Sequence, residues 1–317
     1  MRTYYSNRAC GILFNFIKSN PLGYYILPAN ICPVVPLTII KAGAKVLFVD
    51  ISTKTLQIDP NQCELVINKY NVVGVVVVAT YGNYEFSYNI VEKLISIKSD
   101  ILIIEDRCLC APLDKSNLNP CVDLVLYSTG YAKVLDLGYG GIGLTATELI
   151  PFEILDYKEE DYHTLESLYK DSFKRKTQFN CFEQLNWLDT SMLGIDAAKS
   201  LENDIYIKLD KALDHKRLIN SIYNDLLPDS IKFHSGFNLW RYNIKIENSD
   251  LIIKEIFKQN LFASKHYQPS SQLFQDQHYI NAESLYNDVI NLFNDSHITE
   301  HQAISICHII NKYYDYI

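Results

Sequence analysis

The sequence has little glycine, and its cysteines and histidines do not form a metal-binding pattern. Only 12 of its 317 residues are glycine, against an average of ~7% in proteins. The eight cysteines include no Cys-x-x-Cys pair, and the eight histidines are scattered along the chain. We therefore expect reduced thiols and no metal site.

The sequence also lacks a long apolar run and an excess of basic residues. No apolar stretch approaches the ~18–20 residues that span a bilayer. Residues 1–7 are polar and unlike a signal peptide, so we expect a cytoplasmic protein without a membrane partner. Lys and Arg number 29 against 37 Asp and Glu, a net charge of -8, which argues against nucleic-acid binding.

Apolar, β-branched runs alternate with helix-like segments in the first half of the chain. Residues 72–78 carry no polar side chain, which is typical of a parallel strand covered on both faces. Repeated strand–helix–strand units predict an α/β fold, a mostly parallel sheet flanked by helices. The predicted strands are residues 23–27, 44–50, 72–79, 101–106 and 123–128.

The second half has longer helical periods. Residues 195–227 predict one or two amphipathic helices, and a strand over 239–246, a helix over 251–259 and two further helices follow. We therefore predict a large domain over residues 1–205 and a smaller α+β C-terminal domain over residues 206–317.

Several polar residues follow the predicted strands, where doubly wound sheets bind ligands. Asp106 ends an apolar strand and either pairs with a cation or caps a helix. Lys133 precedes four of the twelve glycines, in residues 138–143, and is either an amine nucleophile or an exposed loop lysine. Ser6 and Asn7 precede a helical stretch, a position that binds phosphate or caps the helix.

The order and spacing of these segments resemble the sugar aminotransferases of the DegT/DnrJ/EryC1/StrS family, which are fold-type I enzymes that use pyridoxal 5′-phosphate (PLP). The resemblance extends over nearly the whole chain. The matching segments are residues 27–33, 42–51, 58–60, 80–82, 104–106, 128–133, 140–141 and 263–267.

The resemblance implies a role for each matching residue. Lys133 would bind the cofactor aldehyde covalently and later carry a proton, and Asp106 would keep the cofactor's ring nitrogen protonated. Asn186 would reach the phosphate bound by the partner subunit of a homodimer. The other cofactor-binding residues implied are Ser6, Asn7, Arg8, Cys32 and Ser128, and the residues implied near the substrate are Tyr81 and His266.

The resemblance also implies a reaction. The enzyme would move an amino group from glutamate onto the keto group of a nucleotide-linked sugar, in the biosynthesis of a cell-surface polysaccharide such as O-antigen or capsule. Lys133 argues against the related dehydratases, in which histidine replaces this lysine. Residues 150–185 and 265–280 would select the sugar.

Some positions depart from the family pattern. Cys32 stands where members usually stack an aromatic ring on the cofactor, Leu109 replaces a glutamine or histidine, and Arg107 replaces a small residue. Fewer residues precede Ser6 than in most members. An alternative therefore stays open, in which the protein has lost catalysis and serves as a binding or partner subunit.

Overall fold

The computed structural model describes residues 1–149, 153–179, 184–274 and 277–314. In chain order its first elements are β1 (Arg2–Ser6), α1 (Ala9–Lys18), β2 (Tyr24–Pro28), α2 (Val34–Lys41), β3 (Lys45–Val49), α3 (Pro60–Ile67), β4 (Val72–Val78), α4 (Ser87–Ile97), β5 (Leu102–Asp106), β6 (Leu124–Ser128) and β7 (Gly141–Thr145). The elements that follow are α5 (Glu159–Arg175), α6 (Ile195–Leu226), β8 (Tyr242–Lys245), α7 (Ser249–Lys258), β9 (Ala263–Ser264), α8 (Ile280–Asp288), β10 (Val289–Leu292) and α9 (Glu300–Tyr314).

The first seven strands form one sheet in the order β1-β7-β6-β5-β4-β2-β3. The neighbours from β6 to β3 are parallel, whereas β7 and β1 join antiparallel. This mostly parallel sheet, flanked by helices, confirms the predicted fold class. The sequence did not predict β1 or β7. Part of the glycine cluster lies in β7, which is a strand and not a loop, and glycine is a poor predictor of strands.

The sheet separates two apolar clusters, because successive residues of a strand point to opposite faces. Val76 and Ile104 pack on one face with residues of α1 and α2. Val75 and Ile103 pack on the other face with residues of α3 and α4. The prediction that residues 72–78 are covered on both sides is therefore confirmed.

The C-terminal part is built on a smaller sheet of three antiparallel strands in the order β8-β10-β9. Ile244 and Ile290 of this sheet share a third apolar cluster with residues of α6, α7 and α9. α6 is a single continuous helix, and the predicted boundary between residues 205 and 206 falls inside it. The division into two domains stays a prediction.

Some sequence expectations fall on residues outside the described ranges. These include Cys181 and parts of the segments 150–185 and 265–280 that were expected to select the sugar. Within the described ranges, no helix combines the length and the apolar character that crossing a membrane requires.

Candidate active site

The predicted phosphate residues meet where strands end at one edge of the large sheet. Ser6, the last residue of β1, pairs with Gly141 at the start of β7, and Gly141 also pairs with Ser128 at the end of β6. Asp106 ends the neighbouring strand β5 at the same edge. Open α/β sheets bind their ligands at this edge.

Gly141 allows the N-terminus of α1 to approach these strands. A Cβ at this position would lie 2.2 Å from the backbone nitrogen of Ala9 and 2.4 Å from the carbonyl carbon of Arg8. Only glycine fits there without moving the backbone. Among the described residues no side chain caps α1, so its N–H groups and dipole favour an anion next to Ser128.

The side chains of the predicted phosphate turn already have partners within the chain. Ser6 Oγ donates to the carbonyl oxygen of Arg8 at 2.6 Å, and Asn7 Nδ2 donates to Asp189 Oδ2 at 3.1 Å. Arg8 donates to the Tyr157 hydroxyl at 3.1 Å and lies over the Tyr162 ring at 4.3 Å. The side chains of Ser6 and Asn7 are therefore engaged within the chain, as is the backbone N–H of Asn7, which donates to the Ser191 carbonyl oxygen.

Lys133 and Asp106 line the same cavity above the carboxyl ends of β4 and β5. Cys32 and Tyr81, two further predicted site residues, also line it. Thus four residues that are far apart in the sequence come together around one space. The rest of the lining consists of Asn30, Val78, Ala79, Thr80, Cys108, Leu109 and Tyr267.

Asp106 is a buried carboxylate that lines the cavity together with Lys133. The residue is 9% exposed. Its Oδ1 accepts a hydrogen bond from the backbone N–H of Cys108 at 2.9 Å. Within the described ranges, no basic nitrogen lies within 4.0 Å of its oxygens. Burying a carboxylate without a cationic partner is costly, so the cavity favours a cationic ligand group beside Asp106.

The cavity thiols are neutral at physiological pH. Burial raises the pKa of Cys32, and the nearby Lys133 ammonium opposes this shift. Burial also raises the pKa of Cys108, and the Asp106 carboxylate raises it further. Neither thiol therefore neutralises Lys133 or acts as a ready nucleophile.

Tyr81 and His266 contact each other beside the cavity. The Tyr81 hydroxyl donates to the backbone carbonyl of His266, and the His266 ring contacts Ser264 Oγ through Nδ1 at 3.2 Å. Burial lowers the pKa of the His266 imidazole to about 3, and the Arg241 guanidinium adds to the effect. The imidazole is therefore neutral near pH 7.

Asn186 lies apart from the cavity lining. Its Nδ2 donates to Asp156 Oδ2 at 3.3 Å, and its backbone N–H donates to Asp161 Oδ2 at 2.8 Å. Its contact with a phosphate of the partner subunit stays a prediction.

Comparison with known proteins agrees with this arrangement. The model of the DegT/DnrJ/EryC1/StrS aminotransferase family matches residues 9–311. The chain belongs to this family. Its members are PLP-dependent aminotransferases, which confirms the enzyme class predicted from the sequence. A search of the curated proteins gave no match.

Solved structures share the fold at low sequence identity. PseC of Helicobacter pylori, an aminotransferase of pseudoaminic acid biosynthesis, is 16% identical with a TM-score of 0.74, and the match covers 100% of this chain and 88% of PseC. DesI, solved with its TDP-sugar product, is 14% identical with a TM-score of 0.74, covering 98% and 80%. A candidate sugar aminotransferase, Spr1654 of Streptococcus pneumoniae, in its PMP form, is 17% identical with a TM-score of 0.71, covering 98% and 87%. At these identities the likeness shows the fold alone.

The residues of this family member fit a PLP molecule at three points. The unpaired Asp106 carboxylate matches a protonated ring nitrogen, the Lys133 amine matches the aldehyde, and the uncapped start of α1 beside Ser128 matches the phosphate. The fit is weaker around the ring, because Cys32 and Leu109 line the cavity where the family usually has an aromatic and a polar residue.

Sequence reasoning assigned no function to two aromatic residues of the site. Tyr267 lines the cavity. The ring of Trp240 lies parallel to the Tyr267 ring, and the two ring centroids are 6.4 Å apart. Tyr267 is adjacent to His266 in the matching segment 263–267, which was a usable signal. Trp240 stands ahead of a short strand in the C-terminal part, and nothing in its local sequence connects it with Lys133.

Proposed function

We propose that this protein is a PLP-dependent aminotransferase that transfers an amino group from glutamate to the keto group of a nucleotide-linked sugar. The single observation that carries the proposal is the cavity that Lys133 shares with Asp106. The family membership supports the reaction class. The TDP-sugar product bound to DesI and the pathway of PseC support a nucleotide sugar as acceptor.

The two residues would divide the work by their chemistry. PLP, when bound, supplies an aromatic ring that accepts the electron pair left on a substrate carbon. The Asp106 carboxylate would hold the proton on the ring nitrogen, and Nζ of Lys133 would carry the proton that leaves Cα of the amino donor. Glutamate thereby becomes a keto acid, and the keto sugar becomes an amino sugar.

The cellular setting follows from the substrate class. Amino sugars made on nucleotide carriers are building blocks of O-antigen, lipopolysaccharide and capsule, so we place the reaction in cell-surface polysaccharide biosynthesis. The protein would act in the cytoplasm, where nucleotide sugars are made, and as a homodimer.

The first test is spectroscopic. We expect protein incubated with PLP to show a visible absorption band that borohydride bleaches, with the label on the peptide that contains Lys133. Lys133→Ala should abolish both the band and the glutamate-dependent reaction with keto-sugar nucleotides. Lys208→Ala, which removes a lysine from an exposed position of α6, should leave both unchanged.

The alternative of a partner subunit without catalysis is favoured by Cys32 and Leu109 in the cavity lining. It predicts protein that stays colourless with added PLP and shows no labelled Lys133 peptide. A band whose borohydride label maps to another lysine would also contradict the proposed role of Lys133.

A further inference from the structure

The indole of Trp240 contacts the segment that carries Lys133. Its Nε1–H donates a hydrogen bond to the carbonyl oxygen of Ala132 at 2.6 Å. Ala132 directly precedes Lys133, so this bond acts on the peptide group next to the reactive amine. The side chain is 3% exposed and stands 108 residues away in the sequence, so the contact joins the two halves of the chain.

Ala132 has a backbone conformation that needs support. Its φ of 58° lies in the left-handed region that disfavours residues with a Cβ. Its N–H donates to Asp136 Oδ2 at 2.7 Å, while its carbonyl oxygen accepts the bond from Trp240. Unfavourable backbone conformations persist only where the surroundings hold them. The two hydrogen bonds hold the peptide groups on both sides of Ala132.

Trp240 is itself held from several directions. Its ring lies parallel to the rings of Tyr81 and Tyr267, with centroids 6.2 and 6.4 Å apart, and both tyrosines line the cavity. The buried amino group of Lys216 donates to the Trp240 carbonyl oxygen at 2.9 Å. The indole N–H is therefore a fixed donor, and its direction is set by groups outside the Lys133 segment.

We propose that Trp240 is a positioning residue for Lys133. By fixing the Ala132 carbonyl group, its indole N–H keeps the lysine amine in the cavity that it shares with Asp106. The importance of this for catalysis rests on the proposed function, but the restraint on the loop acts without any cofactor.

The experiment compares the wild-type protein with Trp240→Phe, which keeps an aromatic ring in the stack and removes the N–H. We expect the backbone amides of residues 129–137 to exchange with solvent about 5-fold faster in the ligand-free variant, since one net hydrogen bond is lost. The dissociation constant for PLP should rise by a similar factor, and the pH midpoint of the visible band should move. The matched control is Tyr223→Phe, which removes a buried hydroxyl that donates to the Phe293 carbonyl oxygen at 2.8 Å; it should change none of these.

A second variant avoids any change in ring size. The chain has two tryptophans, and the buried Nε1 of Trp187 has no hydrogen-bond partner among the residues that the structure describes. Replacing both by benzothienylalanine, which has sulfur in place of N–H, therefore removes the Trp240 bond and no other indole hydrogen bond of the described residues. It should reproduce the faster exchange of residues 129–137.

Exchange rates in residues 129–137 that match the wild-type protein in this isosteric variant would overturn the proposal. A wild-type protein that fails to bind PLP would instead contradict the proposed function, and the exchange measurement on ligand-free protein would still decide the role of Trp240.

Discussion

At the scale of single residues, two buried aspartates follow parallel strands but have different surroundings. Asp50, after β3, accepts hydrogen bonds from the backbone N–H groups of Ile51, Asn281 and Ala282 at 2.8, 2.9 and 3.0 Å. It therefore binds the start of α8. Asp106 has one such bond and faces the cavity. The first carboxylate stabilises the fold, whereas the second is available to a ligand.

This difference predicts that Asp106→Asn affects stability and activity differently. The substitution should raise the melting temperature of the ligand-free protein, or leave it unchanged, because it removes a buried negative charge that forms no salt bridge among the described residues. It should lower transaminase activity by about 100-fold or more, since a lost buried ion pair costs ~3–5 kcal/mol. Thermal unfolding and steady-state kinetics measure the two effects.

Asp50→Asn is the matched control, because it should lower the melting temperature by weakening the bonds to α8. If Asp106→Asn is as destabilising as Asp50→Asn, the carboxylate has a structural role and the cavity assignment is wrong.

The departure at Arg107 also has an explanation at this scale. Its Nε lies 3.0 Å from Glu105 Oε1, and both side chains are buried. The guanidinium also donates to the carbonyl oxygens of Asp114 and Ser116 at 3.1 and 2.8 Å. Glu105 thus neutralises the positive charge of Arg107, which stands where the family usually has a small residue. Arg107 in turn stabilises the loop before β6.

At the scale of elements, the predicted phosphate site depends on how closely α1 packs against β7. Gly141→Ala should destabilise the protein by about 1–3 kcal/mol, since its Cβ would meet the backbone of α1, which cannot rotate away. The same substitution should weaken PLP binding, because it moves the start of α1 away from Ser128. Urea unfolding and titration with PLP are the measurements.

Gly194→Ala is the control for this prediction, because a Cβ at Gly194 meets no atom of the described residues within 4 Å. It should change stability by less than about 1 kcal/mol. Equal stability of the two variants would show that α1 can shift without cost, and the close approach would then have no role in the site.

At the scale of the whole molecule, α6 connects the two sheets and carries a buried lysine. Lys216 Nζ donates to Asn294 Oδ1 at 2.9 Å as well as to the Trp240 carbonyl oxygen. Burial lowers the pKa of this amine to about 8 from its ordinary 10.5. Between pH 8 and pH 10.5 the Lys216 amine binds more protons in the unfolded chain than in the folded protein. The titration of Lys216 therefore makes the free energy of unfolding rise with pH.

We therefore expect the free energy of unfolding of wild-type protein, relative to that of Lys216→Met, to rise by about 1 kcal/mol from pH 7 to pH 9. Denaturant unfolding at several pH values measures it, and the difference between the two proteins removes the contributions of other titrating groups. Lys208→Met, at an exposed position of the same helix, should show no such change. A pH-independent difference for Lys216→Met would mean that the amine keeps its ordinary pKa.

The sequence alone determined the central parallel strands, the helical character of residues 195–226 and the residues from which the family and its chemistry could be inferred. Local sequence patterns carry this information. A strand that is buried on both faces has an uninterrupted run of apolar residues, and an amphipathic helix has apolar residues at the helical period. The tertiary structure decided which residues share a space. Asp50 and Asp106 look alike in sequence, and only packing against α8 separates them. Trp240 reaches Ala132 through contacts between distant segments, and no pattern near either residue encodes such a contact.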